Sequence, residues 1–248
     1  MTLSLRPFIQ VRWTAAGAMV LWLVGVLGAL SYDLLPPGMR ETSFEDSPEL
    51  IRPFLEQAQR AMAGPTAYAL NQWFGQAGAQ TGALLAALLP AIGLGRVLGS
   101  GVFAYDLSFP LTRAQVGARY LAASLVTFIA TYAVGAGLLL LTAPLAGIEL
   151  PALWARLGAA LIGFWAIHGL GSVAAALFGD VLRGGGLPVA VLLLTLLATI
   201  TGAGWVSPLN YLGGLAWSPP SGAAVAAWAA IGAVLHAVAL LVLSRREA

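Results

Sequence analysis

Residues 120–148 read YLAASLVTFIATYAVGAGLLLLTAPLAGI, 29 residues without a charge between Arg119 and Glu149. A helix of about 20 apolar residues crosses the hydrocarbon core of a bilayer, so this run places the chain among all-α integral membrane proteins. Working outward, 20 uncharged residues lie between Arg12 and Asp33, 35 between Arg60 and Arg96, and 23 between Arg156 and Asp180. The 61 residues between Arg183 and Arg245 exceed one helix and are broken by GWVSPLNYLGGLAWSPPSG at 204–222. Six spans are therefore expected, near 14–32, 67–93, 120–145, 157–179, 186–203 and 223–243, in one domain over 1–248.

Composition agrees. Hydrophobic residues make up 59% of the chain and charged residues 9%, too little polarity to cover a water-facing surface. Cysteine is absent, which excludes disulfides and thiolate metal sites. All 12 basic residues are arginine, so a phosphate loop of the GxxxxGK[ST] type is excluded. Any ATP hydrolysis linked to this protein belongs to another chain. With the N-terminus in the cytosol, eight arginines (6, 12, 96, 113, 119, 183, 245 and 246) fall inside and four (40, 52, 60 and 156) outside, as the positive-inside rule requires. Both termini are then cytosolic, and the expected location is the inner cell membrane.

The connecting segments carry their own signals. Residues 1–12, MTLSLRPFIQVR, mix apolar side chains with two arginines, a pattern for a short helix in the inner interface or for an unstructured leader. In the outer loop at 33–63, Ser47 and Pro48 mark the start of an amphipathic helix to Met62, with a kink at Pro53. It reads as a surface lid or as a gate. Glycines at 93, 95, 135, 137, 158, 163, 169 and 171 announce close helix approaches. His168 and His236 are the ionisable groups at membrane depth; such residues are functional candidates, but a neutral histidine is inexpensive to bury and no acid accompanies either. His168 is set down as a substrate-pathway candidate, with Asn210 and Tyr211. The segment 204–222 reads as a re-entrant hairpin or as an aromatic loop at the interface.

The cytosolic loop at 96–119 is the most specific stretch. Asp106-Leu107-Ser108-Phe109-Pro110-Leu111-Thr112-Arg113, followed by Gln115-Val116, resembles the L-L-S-x-P-[VI]-S-R-x-x-[VIL] signature of type-two permeases of ATP-binding cassette exporters. Ser207-Pro208-Leu209-Asn210-Tyr211 is similar to that family's S-P-F-x-Y pattern in the last outer loop. The family's preceding E-x-x-x-G-T segment is replaced here by Arg96-Val97-Leu98-Gly99-Ser100-Gly101.

The resemblance implies a coupling helix between spans two and three that docks on a separate ATPase. Phe103, Tyr105, Leu107, Phe109 and Leu111 would be its apolar anchors. Asp106 and Arg113 would set register by charge, Ser108 and Thr112 belong to the motif, and Pro110 would end one short helix and begin the turn to the next. The implied assembly has two ATPase subunits, which would hold ATP and Mg, and a second permease, either a copy or a related chain. The pathway would lie between them, surrounded by membrane lipid, with no nucleic-acid partner and no catalytic group or metal in this chain. An ordinary interfacial loop, a secondary transporter and an intramembrane hydrolase are the alternatives; for the last, no GxSxG or HExxH motif is present.

Overall fold

A computed structural model describes residues 6–36, 52–197 and 206–246, and every regular element among them is helical. In chain order these are α1 (Arg6–Ala29), a 3-10 turn at Ser31–Leu34, α2 (Arg52–Ala61), α3 (Pro65–Gly99), α4 (Val102–Asp106), α5 (Arg113–Leu145), α6 (Leu153–Phe178), α7 (Val181–Leu197), α8 (Pro208–Gly214) and α9 (Gly222–Arg245). Five of them, α1, α3, α5, α6 and α9, are long and apolar enough to cross a membrane, which makes this a multi-pass membrane protein. The expected span at 186–203 corresponds to α7, which begins earlier and has 17 described helical residues. At 1.5 Å per residue that is about 26 Å, short of the roughly 30 Å core; residues 198–203 lie outside the described set.

Several expected boundaries shift for local reasons. The expected interfacial segment is not separate from the first span over its described part: α1 runs unbroken from Arg6 to Ala29, and residues 1–5 lie outside the described set. The described part of α2 runs from Arg52 to Ala61; the expected start at Ser47 and Pro48 lies outside the described residues. The third span begins at Arg113 rather than Tyr120. Its 33 residues extend about 50 Å, so a part of α5 must project beyond the bilayer. Two π-turns, Asn71–Gly75 and Ala91–Gly95, interrupt α3, the second directly after Pro90, whose missing N–H loosens the ladder.

The centre of the bundle is α6, which packs against α3, α7 and α9, while α1 lies along α5. Contact is backbone-close where glycines allow it. A methyl on Gly171 would fall on the Ala87 carbonyl oxygen, and one at Gly135 would lie 2.8 Å from Trp22 Cβ. Gly137 and Gly158 meet nothing within 4 Å, so they make no such approach. One buried aromatic group ties α1, α3, α5 and α6 together: Trp22 lies 5.4 Å from Trp73 and 5.3 Å from Tyr132, and Phe164 lies 5.5 Å from Tyr132. Large apolar side chains such as Val20, Val24 and Leu27 on α1 and Val234 and Leu241 on α9 stay exposed. In lipid that exposure is no penalty, since the tails are as apolar as leucine.

Candidate functional site

The loop between α3 and α5 is folded by short-range rules before any partner is considered. Gly101 takes φ +72°, a left-handed conformation that a Cβ would strain, and turns the chain into α4. Ser108 Oγ donates to the Tyr105 carbonyl at 2.7 Å, closing the turn after α4. Thr112 then caps α5: its Oγ1 accepts the Gln115 N–H at 3.2 Å, and Gln115 Oε1 accepts the Thr112 N–H at 2.8 Å. This is a complete capping box. The Ser-x-Pro-x-Thr-Arg order therefore has a local function as turn, break and cap.

Three distant residues fix that loop to the bundle. Asp106 is 3% exposed; its Oδ2 accepts from the Tyr120 hydroxyl at 2.6 Å, and its Oδ1 accepts from Arg6 Nη1 at 3.0 Å. The Arg6 guanidinium also lies over the Tyr105 ring, 4.9 Å from its centroid. Asp106 thus ties α1, α4 and α5 together. It was expected to present charge to a partner; instead both of its oxygens are committed inside the chain. Phe103, expected as an anchor, is 9% exposed and packs in a core with Leu94, Val97, Val116 and Tyr120.

The other expected docking residues stand outside. Tyr105 is 58% exposed and meets Phe109 edge to face at 5.9 Å. Ser108, Pro110 and Thr112 are exposed, while Leu107, Phe109, Leu111 and Arg113 are half-buried. At this end of the bundle the described residues place Arg6, Arg12, Arg96, Arg113, Arg119, Arg183, Arg245 and Arg246 against only Asp106 and Asp180. Asp180 Oδ1 accepts the Arg183 backbone N–H at 2.7 Å and so caps α7.

A second polar feature lies inside the bundle. His236 Nδ1 donates to the Gly232 carbonyl at 2.7 Å, and His236 Nε2 lies 3.0 Å from His168 Nδ1. His168 Nε2 lies 2.9 Å from Ser124 Oγ. Because a carbonyl only accepts, the neutral rings have one consistent proton order: Ser124 donates to His168, His168 to His236, and His236 to Gly232. The hydroxyl of Ser124 has a second acceptor, the Leu121 carbonyl at 2.8 Å. His168 is wholly buried and joins α5, α6 and α9. It was expected on a substrate pathway; in this structure no surface of it faces an open space.

Asn210 and Tyr211 lie on α8, Asn210 exposed and Tyr211 half-buried. The Tyr211 hydroxyl donates to the Ala159 carbonyl at 3.1 Å, and a methyl on Gly163 would touch both Tyr211 and Leu212. α8 therefore lies beside residues 159–163 of α6, about 9–15 Å along that helix from Leu153. Burial pushes the Tyr211 phenol up from its ordinary pKa. Arg156 closes the end of α8: its Nε donates to the Pro151 carbonyl at 3.1 Å, and its Nη1 donates to the Leu215 and Ser218 carbonyls. Trp205 lies outside the described residues.

Sequence reading missed the partners more than the residues. Nothing local connects Arg6 to Asp106, 100 positions apart, or His168 to His236, 68 apart. The Thr112-x-x-Gln115 box, by contrast, is a legible helix-start signal. Comparison with protein-family models, with curated proteins and with solved structures finds no match to this chain.

Proposed function

We propose that the chain is the permease subunit of an ATP-binding cassette exporter, with α7 as a sixth span and the α4 loop as its coupling element. The observation that carries this reading is the exposed Tyr105 of α4, packed edge to face on the half-buried Phe109 of the following turn, in a loop anchored by the Arg6–Asp106–Tyr120 contacts. A partner pressing on that pair would push on α1 and α5, to which the loop is tied through Arg6 and Tyr120. On this reading the arginine-rich end is cytosolic, the two ATPase subunits bind there with ATP and Mg, and a second permease completes the pathway. α8, lodged against α6, would be the re-entrant element on the far side.

The test is co-purification of the full chain with an ATPase and measurement of ATP hydrolysis by the complex. Tyr105→Ala and Phe109→Ala should each weaken association by about 30-fold, the effect of an interface hot spot, and Arg113→Glu should alter hydrolysis. If all three variants leave both association and hydrolysis unchanged, this is not a docking site.

A second reading, transport without ATP, is favoured by the Ser124–His168–His236 chain, because aligned hydrogen bonds can relay a proton. Vesicles containing the protein alone would then take up substrate on an imposed pH gradient, and His168→Phe would abolish that uptake.

A further inference from the structure

Arg113 and Arg246, far apart in sequence, line one cleft of about 280 Å³ at the arginine-rich end of the bundle. Its apolar walls are Leu98, Phe103, Leu107 and Leu243, and no acid lines it. The acid nearest in the loop, Asp106, is turned inward to Arg6 and Tyr120. Arg246 is held in place by donating through Nη1 to the Ala176 carbonyl at 2.7 Å, which leaves most of its five N–H donors for another acceptor. Arg113 occupies the first position of α5, where the helix dipole opposes a cation unless an anion balances it. Positive-inside bias explains arginines at this end; it does not explain why two of them converge on one apolar cleft.

We propose that this cleft binds one anionic phospholipid, with its phosphate between Arg113 and Arg246 and its first acyl segment on the half-buried Leu98 and Leu107. A cleft of about 280 Å³ has room for a phosphate and the start of one chain, the rest of the lipid remaining in the bilayer. The apolar walls decide against a free anion, which would gain nothing from them. Paired guanidinium groups suit a phosphate because they can bind it bidentately. The inference requires that α5 and α9 cross a bilayer and does not depend on an ATPase.

Native mass spectrometry of the purified full chain in detergent tests it by titration with dioleoylphosphatidylglycerol, dioleoylphosphatidylcholine and glycerol 3-phosphate. One phosphatidylglycerol should be retained about tenfold more tightly than phosphatidylcholine, and Arg113→Gln or Arg246→Gln should each remove about that factor. Arg119→Gln, at the same end but outside the cleft, should bind as the parent does. Arg246 also holds Ala176, so Arg113→Gln carries the decision: among the described residues it removes no hydrogen bond within the chain. The proposal is overturned by equal retention of the two lipids, by unchanged phosphatidylglycerol binding in Arg113→Gln, or by glycerol 3-phosphate displacing the lipid at equal concentration.

Discussion

The Tyr120 hydroxyl donates to Asp106 Oδ2 at 2.6 Å, with the carboxylate almost wholly buried. The opposite partner, Arg6, contacts the same carboxylate at 3.0 Å but is 39% exposed through its side chain. The two contacts should therefore differ in worth. A hydrogen bond to a buried charge contributes about 1.5–3 kcal/mol, while a partly exposed ion pair contributes about 0–1 kcal/mol. Tyr120→Phe should lower the thermal melting point of the detergent-solubilised chain more than Arg6→Gln does. The reverse order would show that the ion pair, not the tyrosine, holds the loop.

Gly171 sets how closely α6 approaches α3, because a Cβ there would fall on the Ala87 carbonyl oxygen, a backbone atom with no rotamer to yield. Gly171→Ala should destabilise the bundle by about 1–3 kcal/mol, the usual cost of overpacking. Gly137→Ala, with open space around it, should be neutral or slightly stabilising by helix propensity. Paired unfolding curves check this, and equal losses for the two variants would refute the assigned helix contact.

Ala152 has φ 52°, the only positive value at a non-glycine residue among those described. A left-handed alanine costs about 1–2 kcal/mol, against about 0.5–1 kcal/mol of entropy for a glycine. Ala152→Gly should thus stabilise the chain by about 0.5–1 kcal/mol, read as a higher melting temperature. A lower one would mean that the strain at the start of α6 is absent in solution.

Arg156 is 5% exposed and donates to carbonyls at 151, 215 and 218. Arg156→Met keeps its bulk and removes its donors, leaving the buried Leu215 carbonyl without this partner at about 1–3 kcal/mol. Hydrogen–deuterium exchange should rise across Leu215–Ser218 while α5 remains protected. Unchanged exchange in that turn would show that the guanidinium does not secure it.

His168→Leu should cost about 0.6–2 kcal/mol, the range of interhelical hydrogen bonds in membranes, because it unlinks Ser124 from His236. The double variant Ser124→Ala with His168→Leu should cost little more than His168→Leu alone, since both act on one bond. Additive losses in a double-mutant cycle would show that the chain is not connected.

Membrane character, helical class and five long helices were legible in the chain because each depends on a run of adjacent uncharged residues, and hydropathy is local. The Ser108–Thr112 turn and cap were not read from the sequence but were within its reach, as hydrogen bonds spanning three positions. The earlier start of α5 was within reach too, since a capping box is a local signal. Only the tertiary structure could turn Asp106 inward, bury Phe103, bring His168 to His236 and bring Arg113 and Arg246 to one cleft. Each of those outcomes depends on which helix faces which, and in a bundle of Ala, Leu and Gly a span's composition leaves that choice open. It is made where glycines let backbones touch and where the few polar groups find partners that lipid cannot provide.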